Sequence, residues 1–333
     1  MSAAPSSNLN MVEALNRALA EEMERDERVM ILGEDVGVDG GVFRVTRGLQ
    51  ERFGKHRVVD TPLAEACIVG ASVGLALGGM RPVCEMQFSG FMNFAYGQIQ
   101  PHLSRFLSRT RGGMRMPVVV RAPSGGGIRA LEHHCESEEM SYVSVPGLVV
   151  LMPSGPRTAY GLLKSAIRSE EPVIFFEPKS IYRAFREEVP VDGEPYPIGK
   201  AEILREGGDL TIVTWGAMVR RCREAAGRAA AATGAGIEIV DLLTLKPMDP
   251  EAVMGSVRKS GRCVVVHEAP RTGGFAGEIF ARISEREDVF HGLRAPLARV
   301  TSFDVPYPLF ARENAYLPDV ERIEAQILKT LKA

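Results

Sequence analysis

Short apolar runs alternate with longer helical segments along most of this chain, and this alternation constrains its fold more than any other feature. The runs are rich in Val and Ile, which favour strands, whereas the segments between them repeat apolar residues at helical spacing. The first half has predicted strands at 29–32, 58–60, 82–88, 118–121, 148–151 and 173–176, and predicted helices at 10–24, 91–107 and 159–167. Asn10 and Glu13 form a predicted capping box at the first helix. Such alternation builds a mostly parallel sheet with helices on both faces, so we predict a doubly wound α/β fold.

A second, smaller α/β unit follows the first. Residues 186–199 include three prolines, two glycines and several charges, a composition typical of a linker. The alternation then resumes, with predicted strands at 210–214, 237–240 and 263–266 and predicted helices at 218–232 and 275–284. A length of 333 residues also suits two domains. We predict a first domain at 1–190, a linker at 191–200 and a second domain at 201–333.

The composition excludes several classes of function. Because the net charge is −2, neither a nucleic acid nor a membrane surface is an expected partner. The five cysteines are scattered without a Cys-x-x-Cys pair, which fits reduced thiols better than a disulfide framework or a zinc site. Residues 1–8 are polar, and no apolar run reaches the length that spans a membrane. We therefore expect a cytoplasmic protein.

A helix without charge follows an acidic residue at position 65. Residues 66–79 carry no charged side chain, and a helix that is apolar on every face is expected to be buried. Thr61 is the predicted N-cap and Pro62 the first helical residue, since Pro lacks an N–H that would be unpaired there. Glu65 then lies in the first turn, at the edge of a buried space, where a carboxylate needs a hydrogen-bond donor or a shifted pKa. A cofactor nitrogen is one suitable donor partner; stabilisation by the helix dipole alone is the alternative.

Other residues are candidates for a site, and each has a structural alternative. Glu34 directly follows a strand, where α/β sheets bind ligands, but a solvated loop acid is the simpler interpretation. Phe88 and Phe91 precede a helix, where an aromatic ring either packs in the core or stacks on a flat heterocycle. His133 and His134 lie in a polar loop, and most loop histidines have no catalytic role.

A glycine-rich turn, Ser124-Gly125-Gly126-Gly127, follows another strand. It matches neither the Gly-x-x-x-x-Gly-Lys phosphate loop nor the Gly-x-Gly-x-x-Gly dinucleotide motif, so we do not expect it to bind phosphate. The His-Glu-x-x-His spacing of a common zinc site is also missing from the sequence.

Several motifs occur in an order that is typical of one enzyme family. They include Leu-Gly-Glu-Asp-Val at 32–36, Asp-Thr-Pro-Leu-Ala-Glu at 60–65 and Arg-Pro-Val-Cys-Glu-Met-Gln-Phe at 81–88, with further segments at 134–137, 146–148, 172–177, 197–201 and 241–249. Together they resemble the beta subunit of the thiamine-diphosphate-dependent 2-oxo acid dehydrogenases, over nearly the whole chain. The resemblance implies a pyrimidine-binding domain of the transketolase type followed by a transketolase-like C-terminal domain.

The resemblance also implies partners. The beta subunit of this family joins an alpha subunit in an α2β2 heterotetramer, and the alpha subunit holds the diphosphate through magnesium with a Gly-Asp-Gly motif and a later Asn-Asn pair. Neither pattern occurs here, so this chain would contribute the half of the site that activates the thiamine ring. The acyl group made from a small 2-oxo acid would pass to a lipoyl-bearing acyltransferase of the same multienzyme complex.

By the same resemblance, individual residues have expected roles. Glu65 falls on the acid that hydrogen-bonds N1′ of the aminopyrimidine and promotes the imino tautomer, which takes the proton from C2 of the thiazolium. Phe91 falls on the ring that stacks on the pyrimidine, and Gln87 and Glu34 fall beside it. His134 falls on the histidine at the substrate and lipoyl end, although the motif here is His-Cys-Glu-Ser where the family usually has His-Ser-Gln-Ser.

Some relatives also bind a structural potassium ion through backbone carbonyls and nearby groups. The matching positions in this sequence are Val118, Ala166, Ile167, Ser169 and Glu171. Carbonyl ligands leave no side-chain pattern, so this expectation depends on the resemblance alone.

The sequence is therefore interpreted as the beta subunit of a 2-oxo acid dehydrogenase that decarboxylates its substrate. Pyruvate is the first choice of substrate, with a branched-chain 2-oxo acid and acetoin as alternatives. A non-catalytic α/β interaction protein is the alternative from another class. The joint presence of Glu65, Phe91 and His134 argues against that alternative.

Overall fold

The computed structural model describes residues 6–333. Within them, two main β-sheets form, one of seven strands and one of five. In chain order the strands are β1 (Ser6–Leu9), β2 (Val29–Gly33), β3 (Val58–Asp60), β4 (Arg81–Glu85), β5 (Val119–Ser124), β6 (Val149–Leu151), β7 (Val173–Pro178), β8 (Glu187–Pro190), β9 (Glu202–Arg205), β10 (Leu210–Thr214), β11 (Ile237–Asp241), β12 (Thr244–Lys246), β13 (Cys263–Pro270) and β14 (Ala298–Ser302).

The α-helices lie between these strands and at the C-terminal end. They are α1 (Met11–Arg25), α2 (Leu49–Phe53), α3 (Glu65–Leu77), α4 (Met92–Gln98), α5 (Phe106–Arg109), α6 (Glu139–Val143), α7 (Pro156–Arg168), α8 (Met218–Thr233), α9 (Pro250–Ser260), α10 (Ala276–Ser284), α11 (Glu287–Phe290), α12 (Glu313–Tyr316) and α13 (Val320–Lys332). Short 3-10 helices lie at Ser89–Phe91, Glu132–His134, Lys179–Ile181 and Phe310–Arg312, and a π-helical turn lies at Ile99–Leu103. Within residues 6–333, no helix is long and apolar enough to cross a membrane.

The seven-stranded sheet confirms the predicted fold class. Its order is β12-β6-β7-β5-β4-β2-β3, and all neighbouring strands run parallel except β12 and β6. Alternate residues of a strand point to opposite faces. In β2, Val29 and Ile31 join one core cluster with α1 and α7, whereas Met30 and Leu32 join another with α3 and α4. The sheet is therefore covered by helices on both faces.

The five-stranded sheet has the order β14-β13-β10-β11-β9 and is parallel apart from β9. Residues of α8 and α13 pack on one face, and residues of α9 and α10 pack on the other. The second α/β unit of the sequence analysis is thus present.

Two pairings near the domain boundary were not predicted. Strand β12 follows β11 in the chain but pairs antiparallel with β6, so residues 244–246 extend the sheet of the first unit. Strand β8 pairs antiparallel with β1, which joins residues 187–190 to the N-terminal segment. Strands β1, β8 and β12 each contain a single Val or Leu, so they lack the apolar run that reveals a strand in the sequence.

Helix α1 begins as predicted, but α3 does not. Asn10 and Glu13 form the capping box, with N–H to side-chain oxygen distances of 2.9 and 3.0 Å. The predicted N-cap Thr61 is wrong, because α3 begins at Glu65 after Ala64. The N–H of Thr61 instead donates to the carbonyl of Gly33 over 2.9 Å, which keeps the chain extended beyond β3.

Two further predictions about helices are wrong. Helix α3 buries one face and leaves Cys67, Ala71, Gly74 and Leu77 exposed, so it is not buried on every face in this chain. The helix predicted at 91–107 is divided into 3-10, α-helical and π-helical turns. Pro101 explains the interruption, because proline has no N–H for the helical hydrogen bond.

Candidate active site

The five candidate residues come together at the carboxyl ends of four neighbouring strands. Glu34 follows β2, Glu65 begins α3 after β3, Gln87 and Phe91 follow β4, and His134 lies in the loop after β5. These strands are adjacent in the order β5-β4-β2-β3. Since open α/β sheets bind ligands at the carboxyl ends of their strands, the sheet gathers all five residues at the expected edge.

Two buried carboxyl groups form one side of this site. Glu34 is 6% exposed and Glu65 is 8% exposed. Burial raises the pKa of Glu34, and the negative charges of Glu65 and Asp35 raise it further. The raised pKa favours a protonated Glu34 carboxyl group, which has a hydrogen to donate within the site.

Aromatic rings form a second part of the site. Phe88 and Phe91 meet edge to face with their centroids 5.6 Å apart. The imidazole of His134 packs edge-on against both rings, at 4.5 Å from Phe88 and 5.2 Å from Phe91. Its Nδ1 atom is buried and has no hydrogen-bond partner among the residues that the structure describes. Packing against these two rings therefore holds the imidazole in place.

The His134 loop docks on the segment between the two phenylalanines. Ser89 Oγ donates a hydrogen bond to the carbonyl of Glu136 over 3.1 Å. A Cβ atom on Gly90 would collide with the carbonyl of His133, so only glycine permits this approach. His133 itself is exposed, whereas His134 is half-buried. The two neighbouring histidines therefore differ in exposure.

Gln87 lies at the rim, next to the loop that follows Glu34. Its Nε2 donates to Oδ2 of Asp35 over 3.1 Å. The same loop is fixed by Asp60, whose carboxylate accepts the N–H groups of Gly37 and Val38 at 2.5 and 3.2 Å. The Asp-Thr-Pro-Leu-Ala-Glu motif therefore has two roles. It ends in Glu65, and its first residue, Asp60, fixes the loop that follows Glu34.

The sequence analysis missed a buried ion network behind the site. Arg121 makes two hydrogen bonds of 2.7 Å to the carboxylate of Glu177 and also pairs with Glu85. Tyr182 donates to the same Glu177 carboxylate over 2.6 Å. Because Arg121, Glu85 and Glu177 lie on β5, β4 and β7, the network fixes these strands together. The only signal in the sequence was a charged residue within each apolar strand.

The His-Cys-Glu-Ser motif differs from the usual family pattern at Cys135 and Glu136. The Cys135 side chain is 1% exposed, and burial raises the pKa of its thiol. Glu136 contributes its carbonyl to the contact with Ser89 described above. Lys179 was not predicted: its Nζ is buried without a hydrogen-bond partner among the described residues and lies 5.7 Å from the Phe88 centroid.

The five positions matched to potassium lie at the opposite edge of the sheet, near the amino ends of β5 and β7. Each carbonyl already accepts one hydrogen bond from the protein; for example, Arg81 donates to Ile167 over 2.9 Å and to Ser169 over 2.6 Å. The carbonyls of Val118, Ala166 and Glu171 accept from Val173, Ser169 and Ser169 respectively. A carbonyl oxygen has two lone pairs, so each can take one further partner. Within residues 6–333, no group of three His, Cys, Asp or Glu side chains could hold a metal ion.

Two family models match the chain. Residues 7–184 match "Transketolase, pyrimidine binding domain", and residues 199–323 match "Transketolase, C-terminal domain". The pyruvate dehydrogenase E1 component subunit beta of Acholeplasma laidlawii is 45% identical over 98% of both chains. This chain belongs to the family of 2-oxo acid dehydrogenase beta subunits. The resemblance found in its sequence motifs is therefore confirmed.

Other relatives in this family differ in the substrate that their names give. The 3-methyl-2-oxobutanoate dehydrogenase subunit beta of Mycobacterium tuberculosis is 46% identical over 95% of this chain and 90% of its own. The pyruvate dehydrogenase E1 component subunit beta of Staphylococcus epidermidis is 44% identical over 97% and 99%. The chain is about equally similar to the pyruvate and the 3-methyl-2-oxobutanoate subunits, so sequence identity does not indicate which substrate it acts on.

The fold comparison agrees with the family assignment. A solved structure described as "Split gene transketolase, inactive beta4 tetramer" has a TM-score of 0.79 and covers 98% of this chain and 99% of its own, with 23% identity. At that identity the likeness concerns the fold alone. The transketolase-like two-domain architecture is thereby confirmed.

Proposed function

We propose that this chain acts on pyruvate as the beta subunit of an α2β2 dehydrogenase and passes the acyl group to a lipoyl-bearing acyltransferase. The observation that carries the proposal is that Glu34, Glu65, Phe88, Phe91 and His134 all follow the carboxyl ends of adjacent strands, at one edge of the sheet. Buried carboxyl groups, aromatic rings and an imidazole nitrogen without a hydrogen-bond partner suit a heteroaromatic cofactor.

The residues of this site fit the pyrimidine ring of thiamine diphosphate. Glu65, in the first turn of α3, would hold N1′ of that ring and exchange a proton there. The half-buried face of Phe91 would stack on the ring, and Gln87 would close its rim. When bound, the cofactor supplies a thiazolium that adds to the 2-oxo carbon and accepts the electrons released on decarboxylation.

Glu34 and His134 would act at the two ends of this arrangement. Burial and the charges of Glu65 and Asp35 raise the pKa of Glu34, which favours its protonated form and so limits the negative charge beside Glu65. The imidazole of His134 would exchange a proton with the lipoyl group. Both roles require only short movements of a proton at a fixed carboxyl or imidazole.

An alpha subunit is the proposed partner because one side of the site is open in this chain. Cys67, Ala71 and Gly74 leave an apolar, small-residue face of α3 exposed next to Glu65. Nearby, Phe94 is 66% exposed. Apolar surface of this kind typically marks a protein interface. The partner would also bring the magnesium that binds the diphosphate.

Two further expectations from the sequence remain predictions. One is a potassium ion bound at Val118, Ala166, Ile167, Ser169 and Glu171, and the other is a cytoplasmic location.

A branched-chain 2-oxo acid is the second candidate substrate, favoured by the similarity to the Mycobacterium tuberculosis subunit. One methylene in an apolar pocket changes discrimination by about 1–3 kcal/mol, so a few side chains in either subunit decide between the two acids. Acetoin is a third candidate from the same superfamily.

The experiment is to express the chain with an alpha subunit and to purify the complex with thiamine diphosphate and magnesium. Reduction of an artificial electron acceptor is then measured with pyruvate, 3-methyl-2-oxobutanoate and acetoin. We expect the highest kcat/KM with pyruvate, by roughly tenfold or more. A higher value for another substrate reassigns the specificity, and turnover of none of the three contradicts the proposed function.

A further inference from the structure

The glycine-rich turn at 125–127 is occupied by side chains from the second α/β unit. The N–H of Gly126 donates to Oε1 of Glu268, and a Cβ atom on Gly125 would lie 2.6 Å from the same oxygen. A Cβ atom on Gly126 would overlap the hydroxyl group of Tyr307. Gly125 also has a φ of +76°, which glycine adopts at little cost. The glycines therefore make room for Glu268 and Tyr307, and no phosphate is needed to explain them.

The same turn holds the loop that carries His134. The N–H of Gly125 donates to the carbonyl of Glu136 over 3.0 Å, two residues after His134. That carbonyl also accepts the hydrogen bond from Ser89, which lies between the phenylalanines that contact the imidazole. A continuous set of hydrogen bonds thus runs from Glu268 through the turn to the His134 loop.

Charged groups from several elements surround Glu268. Burial raises the pKa of its carboxyl group and Glu313 raises it too, whereas the Gly126 N–H, Lys179 and Arg221 lower it. The Lys179 side chain is 3% exposed, and burial lowers its pKa to about 8. Glu313 is already engaged by the N–H of Arg129 at 3.0 Å and by the Tyr307 hydroxyl group at 2.8 Å. Glu268 is therefore the acid that acts on the turn itself.

We propose that Glu268 is a positioning residue, which holds the Gly125–Gly126 peptide and thereby sets the position of the His134 imidazole over Phe88 and Phe91. The inference rests on the proposed function of His134 in acyl transfer. In this proposal the second α/β unit helps to position a site residue of the first unit. It does so through Glu268, which is 142 positions after Gly126 in the sequence.

The test compares Glu268→Ala with Glu268→Gln in the assembled α2β2 enzyme with thiamine diphosphate. Two rates are measured: reduction of an artificial electron acceptor, which bypasses the lipoyl group, and acylation of an isolated lipoyl domain. The imidazole signals of His134 are followed by NMR on enzyme with isotope-labelled histidine. Glu278→Ala is the matched control, because Glu278 lies in the same unit but pairs with Arg282 at the surface.

We expect Glu268→Ala to lower kcat for lipoyl acylation by about 10- to 100-fold, as misplacement of a reacting group by about 1 Å does. Its acceptor-dependent rate and thiamine affinity should stay within about twofold. Glu268→Gln keeps the oxygen that accepts from Gly126 and should restore most of the acylation rate. The His134 signals should shift in the Ala variant and not in Glu278→Ala.

The proposal is overturned if Glu268→Ala acylates the lipoyl domain like the wild type, or if both rates and cofactor binding fall together. If the Ala variant does not assemble, Glu268→Asp replaces it, since the shorter side chain draws back from the turn; normal acylation by that variant also overturns the proposal. Failure of the wild-type enzyme to acylate any lipoyl domain contradicts the proposed function instead, so the two failures are distinguishable.

Discussion

The imidazole of His134 meets the ring of Phe88 edge to face, with the centroids 4.5 Å apart and the planes at 69°. This contact fixes the imidazole by packing instead of by a hydrogen bond, since its buried Nδ1 has no partner among the described residues. His133, one residue earlier, is exposed. The two histidines therefore form a natural pair of test and control for the chemistry at this end of the site.

Substitution of His134 should impair acyl transfer more than cofactor binding. We expect His134→Ala to slow acylation of a lipoyl domain by ~10²- to 10⁴-fold, because it removes a positioned proton donor. Thiamine affinity, measured by titration calorimetry on the α2β2 enzyme, should change little. His133→Ala should behave like the wild type. Equal effects of the two substitutions, or loss of thiamine binding with normal acyl transfer, would contradict the assignment.

Glu65 should control activation of the cofactor. We expect Glu65→Gln to preserve assembly but to slow hydrogen–deuterium exchange at C2 of bound thiamine by ~10²- to 10⁴-fold, because the amide cannot deliver a proton to the ring nitrogen. The exchange is measured by quenched-flow NMR. Glu51→Gln, at an exposed position of α2, is the control. Unchanged exchange in Glu65→Gln would show that another group promotes the tautomer.

Local patterns predicted most strands better than they predicted the contacts between distant segments. The position of Glu34 at the carboxyl end of β2 followed from the strand pattern, whereas the grouping of His134 with Glu65 and Phe91 came from the family resemblance. The start of α3 was missed because the Thr61 N–H pairs with Gly33, a tertiary contact that overrides the local capping signal of Thr61 and Pro62.

Long-range contacts account for the remaining failures. Strand β12 has only three residues, and its pairing with β6 connects parts of the chain about 95 residues apart. The contact of Glu268 with Gly126 spans 142 residues, and nothing in the sequence around either residue indicates the other. The glycine-rich turn could be recognised from its composition, but the side chains that fill it could not.

The stability of the second α/β unit should depend on the ionisation of Asp241. Asp241 is fully buried, and burial raises the pKa of its carboxyl group to about 7, although hydrogen bonds from Ser154 and Leu243 lower it. Between the ordinary aspartate pKa of 3.8 and a pH of about 7, Asp241 keeps its proton in the folded state but loses it in the unfolded state. The free energy of unfolding therefore falls as the pH rises through this window.

We therefore expect Asp241→Asn to unfold at the same denaturant concentration as the wild type near pH 4 and to be more stable at pH 8. One pKa unit corresponds to about 1.4 kcal/mol, so the gain at pH 8 should reach a few kcal/mol. Urea unfolding followed by fluorescence at several pH values measures it. Asp39→Asn, at an exposed loop position, is the control. An equal effect of Asp241→Asn at both pH values would contradict the assigned pKa.

The exposed face of α3 should bind the alpha subunit, so a large side chain there should block assembly without unfolding the chain. A Cβ atom on Gly74 meets no atom within 4 Å in this chain, and the same is true of Gly227 on α8. A leucine stabilises a helix by about 1 kcal/mol relative to a glycine, so neither Gly74→Leu nor Gly227→Leu should lower the stability of the chain itself.

We expect Gly74→Leu to reduce co-purification with the alpha subunit and to abolish dehydrogenase activity, whereas Gly227→Leu should assemble normally. Sedimentation of the two variants mixed with the alpha subunit measures this, and a normal α2β2 complex with Gly74→Leu would place the interface elsewhere.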